Sequence, residues 1–477
     1  MSGKGKKVWN FIENFAGDKV VLIIVLMLIL FSIVCIFSSS SRLVTANTDR
    51  IDIVMDHLMI VGIGLVFIFI CYQIRSLEFF RKVSGLGFFI AFGFLLLLIV
   101  TSKLDGIGNF ITAPNINGAV RFLKVKGIQI HVFEIAKVAM IMYIAWAVDA
   151  LKKDNFKLLD KISELDHFHW VKKRMTKKVI YLYIPSLIIL VMVMRGSNTA
   201  AMMMAVVLIL TIAIGTGEVK EIFIAGAAAL VMFFACFFMY TVTKHSDHVM
   251  FERIALFPTR IFHPTRIDVK EYHLAKDQRE RQSCLDRLRQ PYSAKIAIQQ
   301  GHFLGKGPGQ STQRYVVPDM SEDYMFSFIL EEYGWLGGMA IMILYISLLA
   351  RGVLIVKNCG SNLFAKCAVM GLVLLISGQA MIHIVVNADI GLLTGQTLPL
   401  LSHGASAFIC FCIAFGIILS ISRISNRKIE TETKKATPLI DLHDNVQATL
   451  ADLESFDSGE YEDIEETENN EDIYDSI

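Results

Sequence analysis

The sequence predicts an all-α polytopic membrane protein, with about ten transmembrane helices and one large extracytoplasmic loop between spans seven and eight. Three observations predict it. Apolar runs of roughly 20 residues, the length at which a helix crosses a bilayer core, recur along the chain. Only 19% of its 477 residues are charged and 54% are hydrophobic, whereas soluble domains average about 25% charged. The charges are also segregated by region, so the net charge of +2 says nothing about partners.

The runs in order are Val20–Ser38, Ile53–Ile74, Leu86–Thr101, Val132–Val148, Val179–Met194, Thr199–Ile214, Ile222–Val242, Trp335–Val356, Phe364–Val386 and Ala405–Ile421. No strand-like alternation competes with them, and a helix satisfies its own backbone in lipid. Residues 1–19 form a polar, basic cytoplasmic N-terminus. The run that follows is too long for a signal-peptide core and reads as an uncleaved first span. Spans one to seven fill 20–243, the outer loop 244–322, and spans eight to ten 323–424 with an irregular, re-entrant outer segment. An acidic cytoplasmic tail closes the chain from 425 to 477.

Orientation follows from Lys and Arg in the short connections. Lys4, Lys6 and Lys7, then Arg75, Arg81 and Lys82, then the run from Lys152 to Lys178, then Arg423, Arg427 and Lys428 all fall on one side. Both termini are therefore read as cytoplasmic, in a multi-pass membrane protein. The outer loop carries thirteen Lys or Arg from Lys244 to Arg314 against seven Asp or Glu. Its stretch around Arg279–Arg289 reads equally as a solvated surface helix. From Asp441 onward the tail has fourteen Asp or Glu and no Lys or Arg, a composition that does not bury enough apolar surface to order itself. Six of eight cysteines, Cys35, Cys71, Cys236, Cys367, Cys410 and Cys412, fall in apolar runs without zinc spacing and read as small apolar residues.

Four constellations carry chemistry. Glu134 and Lys137, three apart at the start of span four, share a helix face. They read either as a packing pair or as the lining of an outward cavity. Arg121 precedes them. Gly305-Lys-Gly-Pro-Gly309 lacks P-loop spacing; it reads as a plain turn or, with Lys306 and Arg314, as an anion-binding nest for a diphosphate. Asp323 leads into span eight, with Ser321 as its helix cap. In the first turn the dipole favours its carboxylate form, able to accept a proton; simple capping and solvation is the competing reading. Finally, 387–406 is dense in Gly, Thr, Ser and Pro, and Ser402 lies within it. Such irregular backbone at membrane depth lines protein or a cavity.

These residues resemble the SEDS family, the shape, elongation, division and sporulation proteins RodA, FtsW and SpoVE. The resemblance rests on Asn117-Gly-Ala-x-Arg121, Glu134-x-x-Lys137, Gly305-Lys-Gly-Pro-Gly309, Pro318-x-x-x-x-Asp323-Tyr-Met-Phe326, Glu331-Glu332-Tyr-Gly334 and Thr394-Gly-Gln-Thr-Leu-Pro399-Leu-Leu-Ser402-His-Gly404. It covers the ten spans and leaves the tail outside. Departures are His131-Val-Phe-Glu134 for Gln-Pro-Ser-Glu, Arg195-Gly-Ser-Asn-Thr199 for Pro-Asp-Leu-Gly-Thr, Ser402-His-Gly-Ala405 for Ser-Tyr-Gly-Gly, and Glu322 for Thr.

The resemblance implies a peptidoglycan glycosyltransferase that polymerises lipid II, the undecaprenyl-diphosphate-linked disaccharide pentapeptide, with an FtsW-like division member favoured over an elongation-type (RodA-like) one. It implies Asp323 as the catalytic residue, and a class B penicillin-binding protein and other divisome membrane proteins as partners. Arg121, Lys306 and Arg314 are expected on the diphosphate, and Glu134, Lys137 and Ser402 around the substrate. No protein metal site and no nucleic-acid partner are expected; a divalent cation is the one cofactor candidate. The competing readings are a lipid II flippase, since intramembrane charges and broken segments suit transporters too, and a scaffold.

Overall fold

A computed structural model describes residues 15–39, 50–104, 111–116, 119–126, 128–154, 174–218, 220, 223, 272–275, 277–317, 320–388, 395–429 and 431. The helices are α1 (Lys19–Ser39), α2 (Arg50–Gln73), α3 (Leu77–Ser84), α4 (Gly87–Lys103), α5 (Val132–Lys153), α6 (Arg174–Met194), α7 (Asn198–Thr216), α8 (Gln278–Gly301), α9 (Met325–Asn358), α10 (Leu363–Asn387) and α11 (Ala405–Ile429). The chain divides into two units, 1–424 and 425–477. Of the second, residues 425–429 continue α11 and most of the remainder, including the acidic tail, lies outside the described residues.

Nine of the ten apolar runs fall on described helices, and Ile222–Val242, apart from Phe223, lies outside the described residues. Seven described helices are long and apolar enough to cross a membrane, or eight if α3 and α4, bent by 42°, form one span. Helix α5 has the length of a span but is more polar, because it carries Glu134, Lys137 and Asp149. The protein is a multi-pass helical membrane protein. Helices α5 and α10 pack against each other, and α7 lies against both. Both central helices bury most of their surface, while α2 and α4 leave one flank of Leu, Ile, Val and Phe exposed, as lipid-facing helices do.

One feature differs from the all-α expectation. Residues 111–131 form short antiparallel strands: β1 (Ile111–Thr112), β2 (Asn115–Ile116), β3 (Ala119–Val120), β4 (Phe122–Val125) and β5 (Ile128–His131). The sheet order is β1-β4-β5, with Phe122 opposite His131 and Val125 opposite Ile128, and β2 pairs with β3. Strands of two to four residues leave no alternation to read. Within the outer loop, α8 is the solvated-helix alternative, and it packs on α9.

Helix α9 is broken at Gly334, where φ is 64° and ψ −168°. Breaking a helix frees backbone groups that must find partners. The glycine-rich run supplies them. Lys306 and Gly307 N–H donate to the carbonyls of Glu331 and Glu332, both at 2.9 Å, and the N–H groups of Trp335 and Leu336 donate to His302 and Phe303 at 3.0 and 3.2 Å. A Cβ on Gly334 would collide with Gly305 N and Phe303 O. This corrects the nest reading of Gly305–Gly309: two of its amides are spent on the helix break and are not available to an anion.

Candidate active site

The site is built from α10. Gln379, His383 and Asn387 recur every fourth residue, so they share one face of an otherwise apolar helix. Buried polar groups need partners, and all three have them. Gln379 Nε2 donates to Thr397 O at 3.0 Å, which turns its Oε1 toward Lys137. His383 Nδ1 lies 2.7 Å from Gln396 O while its Nε2 accepts from Phe326 N at 3.4 Å, so the proton sits on Nδ1. Asn387 Oδ1 accepts from Ser327 N and Oγ at 3.0 and 2.8 Å.

That face, together with Ser402 and His403, fixes the turn before α9. Three successive carbonyls are held: Ser321 O by His403 N at 2.8 Å, Glu322 O by Ser402 Oγ at 2.7 Å, and Asp323 O by Asn387 Nδ2 at 3.1 Å. With its backbone pinned, the half-buried Asp323 carboxylate comes to Gly395: a Cβ there would stand 3.2 Å from Asp323 Oδ2 and 3.0 Å from Arg121 Nη1. Gly395 therefore admits a carboxylate and a guanidinium to the same spot.

Beneath them lies a buried network. Lys137 Nζ donates to Glu134 Oε1 at 2.7 Å, Gln379 Oε1 at 2.6 Å and Gln396 Oε1 at 3.1 Å, which uses all three ammonium protons. His131, at the end of β5, feels Arg121, Glu134 and Lys137. Burial pushes its pKa below the ordinary histidine value; Glu134 opposes this, and Lys137 and Arg121 add to it. Its N–H donates to Ser406 Oγ at 2.8 Å, tying the strands to the start of α11. The result is a half-buried carboxylate beside an exposed cation, over a floor whose charges are internally matched.

The family model for the cell cycle proteins FtsW, RodA and SpoVE matches residues 18–427. This chain belongs to the FtsW/RodA/SpoVE family. It is 28% identical over 398 residues to the "Probable peptidoglycan glycosyltransferase FtsW" of Hahella chejuensis, covering 82% of this chain and 86% of that protein. It is 35% identical over 130 residues to stage V sporulation protein E of Bacillus subtilis, covering 27% of this chain and 35% of that one. Among solved structures, a chain from a peptidoglycan synthase complex that coordinates polymerization and crosslinking superposes with a TM-score of 0.59 at 17% identity, over 85% of this chain and 98% of that chain. That likeness is one of fold.

Of the residues singled out from the sequence, this FtsW/RodA/SpoVE member brings together Asp323, Arg121, Glu134, Lys137 and Ser402. Two expectations about Asp323 are corrected. The helix begins at Met325, after Asp323, with Tyr324 at the cap position, and Ser321 makes no cap: its carbonyl is taken by His403. Asp323 therefore lies outside the first turn of α9 and its dipole, in a turn held from α10 and residues 402–403.

Lys306 and Arg314 belong to a second cluster around the Gly334 break. Lys306 Nζ pairs with Glu331 Oε1 at 2.6 Å, and Glu331 also takes Ser311 Oγ and Thr312 N. Arg314 donates to Ser38 and stands 3.6 Å from Glu332 Oε1. Both glutamates are fully buried, so both cations are committed to compensating them. Among the described residues no group of three or more His, Cys, Asp or Glu is placed to hold a metal ion. The sequence reading missed His131 and the stripe Gln379–His383–Asn387. Its signal was present as three polar residues at a spacing of four inside an apolar run.

Proposed function

We propose that this protein is a peptidoglycan glycosyltransferase that polymerises lipid II for septal wall synthesis, with Asp323 as general base. The observation that carries it is the convergence of the Asp323 carboxylate and the Arg121 guanidinium on Gly395. Asp323 takes the proton of the acceptor sugar's 4-hydroxyl. The freed oxygen attacks the anomeric carbon of the growing strand, and the bond from that carbon to undecaprenyl diphosphate breaks. Arg121 stabilises the departing diphosphate, as fixed cations do where negative charge develops.

Glu134, Lys137, Gln379 and Gln396 shape the floor, and Ser402 holds the catalytic turn. Lys306 and Arg314 act on the α9 break in this reading, which leaves the diphosphate to Arg121. The membrane is taken to be the cytoplasmic one, the partner a class B penicillin-binding protein.

Asp323→Asn in purified protein with lipid II in detergent is the test. Detergent has no two sides, so glycan strands formed there require an enzyme and exclude transport alone. The expected result is loss of polymerisation with an unchanged unfolding temperature. Wild-type activity in the variant, or no strands from the wild type with its partner present, overturns the reading.

A further inference from the structure

A second charged hollow lies away from Asp323. It is a cleft of about 200 Å³ between the ends of α4 and α6, closed below by Leu95, Leu98, Phe133 and Met192, with Lys103 and Arg195 at its rim. Neither cation makes an ion pair among the described residues. Among the described residues its lining holds no glutamate or aspartate. The unpaired charge calls for an anion, and the apolar walls call for a hydrocarbon.

Its surroundings decide which. Val120 lines the cleft while Arg121, the next residue, turns its guanidinium to Gly395 and Asp323. Consecutive residues of an extended chain face opposite ways, so this strand separates the cleft from the reacting groups. Next to its lining residues in sequence, Leu96 and Val100 of α4, Leu104 just after it and Val191 of α6 are exposed. That surface is apolar and faces the bilayer. Both cations stand at the C-terminal ends of apolar helices, the level of lipid headgroups.

We propose that the cleft between α4 and α6 binds an anionic phospholipid, its phosphate between Lys103 and Arg195 and an acyl chain against Leu95, Leu98 and Met192. The occupant is a bilayer lipid and not the polyprenyl-diphosphate substrate, because the cleft gives its headgroup no access to Asp323. The site stands whether or not Asp323 carries the chemistry.

Native mass spectrometry of the full chain, delipidated and then titrated with phosphatidylglycerol or phosphatidylethanolamine, tests it. The wild type retains one phosphatidylglycerol in preference to phosphatidylethanolamine. Lys103→Gln/Arg195→Gln weakens that retention roughly thirtyfold, the worth of two interfacial cations. Ile99→Trp, which fills the cleft and keeps both charges, weakens it as well. Unfolding temperature and gel filtration confirm that each variant is folded. Equal retention of the two lipids, unchanged retention in both variants, or displacement of the lipid by polyprenyl diphosphate at equimolar amounts overturns the proposal.

Discussion

At the scale of single residues the site is an arrangement of matched buried groups, and breaking one match exposes the other. Lys137 is 1% exposed and its three acceptors lie within 3.1 Å. Lys137→Met leaves the Glu134 carboxylate buried without its counter-charge, a change that costs about 3–5 kcal/mol in comparable sites. Glu134→Gln/Lys137→Met removes both charges and is expected to recover most of that loss in thermal unfolding; a double variant as unstable as the single one contradicts the matched-pair account. Histidines add a pH dependence. Burial holds His131 and His403 below the ordinary value, against the pull of Glu134 and Asp56 respectively. The unfolded chain then binds these protons more tightly than the folded one. Their stabilising contribution is complete above about pH 6.5 and is lost as pH falls below it toward the depressed folded values. Melting temperatures from pH 8 to pH 5 should fall, and His131→Gln/His403→Gln should flatten the slope. An unaltered slope in that variant assigns the acid sensitivity elsewhere.

At the scale of elements, the decisive device is a helix interrupted on purpose. Gly334 sits at a φ that side chains rarely adopt, and the turn at 302–307 fits into the gap it opens. Gly334→Ala adds a strained backbone, worth about 1–3 kcal/mol, and drives a methyl into the 303–305 backbone. Its unfolding temperature should drop well below that of Gly93→Ala, where the new methyl meets nothing within 4 Å. Equal effects would mean that the break is slack. The same element shows what was legible beforehand. Helix existence was readable because spans have a length set by the bilayer, and Asp323, Arg121, Glu134 and Lys137 stood out as charges in apolar surroundings. What the sequence hid were pairings between distant segments. Lys306 looks like an anion ligand until Glu331 is found against it, Ser321 looks like a cap until His403 takes its carbonyl, and Gly305 looks like a nest until it meets the Gly334 break. Each is a contact across a sequence separation that no local pattern records.

At the scale of the whole molecule, charge is sorted between the two ends of the bundle. Helix α5 runs from the Asp323 site at His131 to Lys153 at the far end, and Arg81, Lys153, Lys177 and Lys178, four of the described basic residues used to read orientation, meet acids at or near that far end. Arg81 and Lys153 meet the buried Asp149, Lys177 meets Asp154, and Lys178 meets Glu218. Hydrogen bonding to Lys178 and its charge hold the Glu218 carboxyl below the usual carboxylate range. If this basic end is cytoplasmic, as the loop rule requires, then α3 faces inward and α8 faces outward. Cysteine labelling on a Cys236→Ser background reads the difference, because among the described cysteines Cys35, Cys284, Cys359, Cys367, Cys410 and Cys412 are buried and Cys71 is half-buried, so engineered sites stand out. On intact spheroplasts a membrane-impermeant maleimide should modify Gln278→Cys in α8 at once, and Glu78→Cys in α3 only after permeabilisation. The reverse pattern would place Asp323 on the cytoplasmic side, where it has no access to a growing wall strand, and the glycosyltransferase assignment would fail with it.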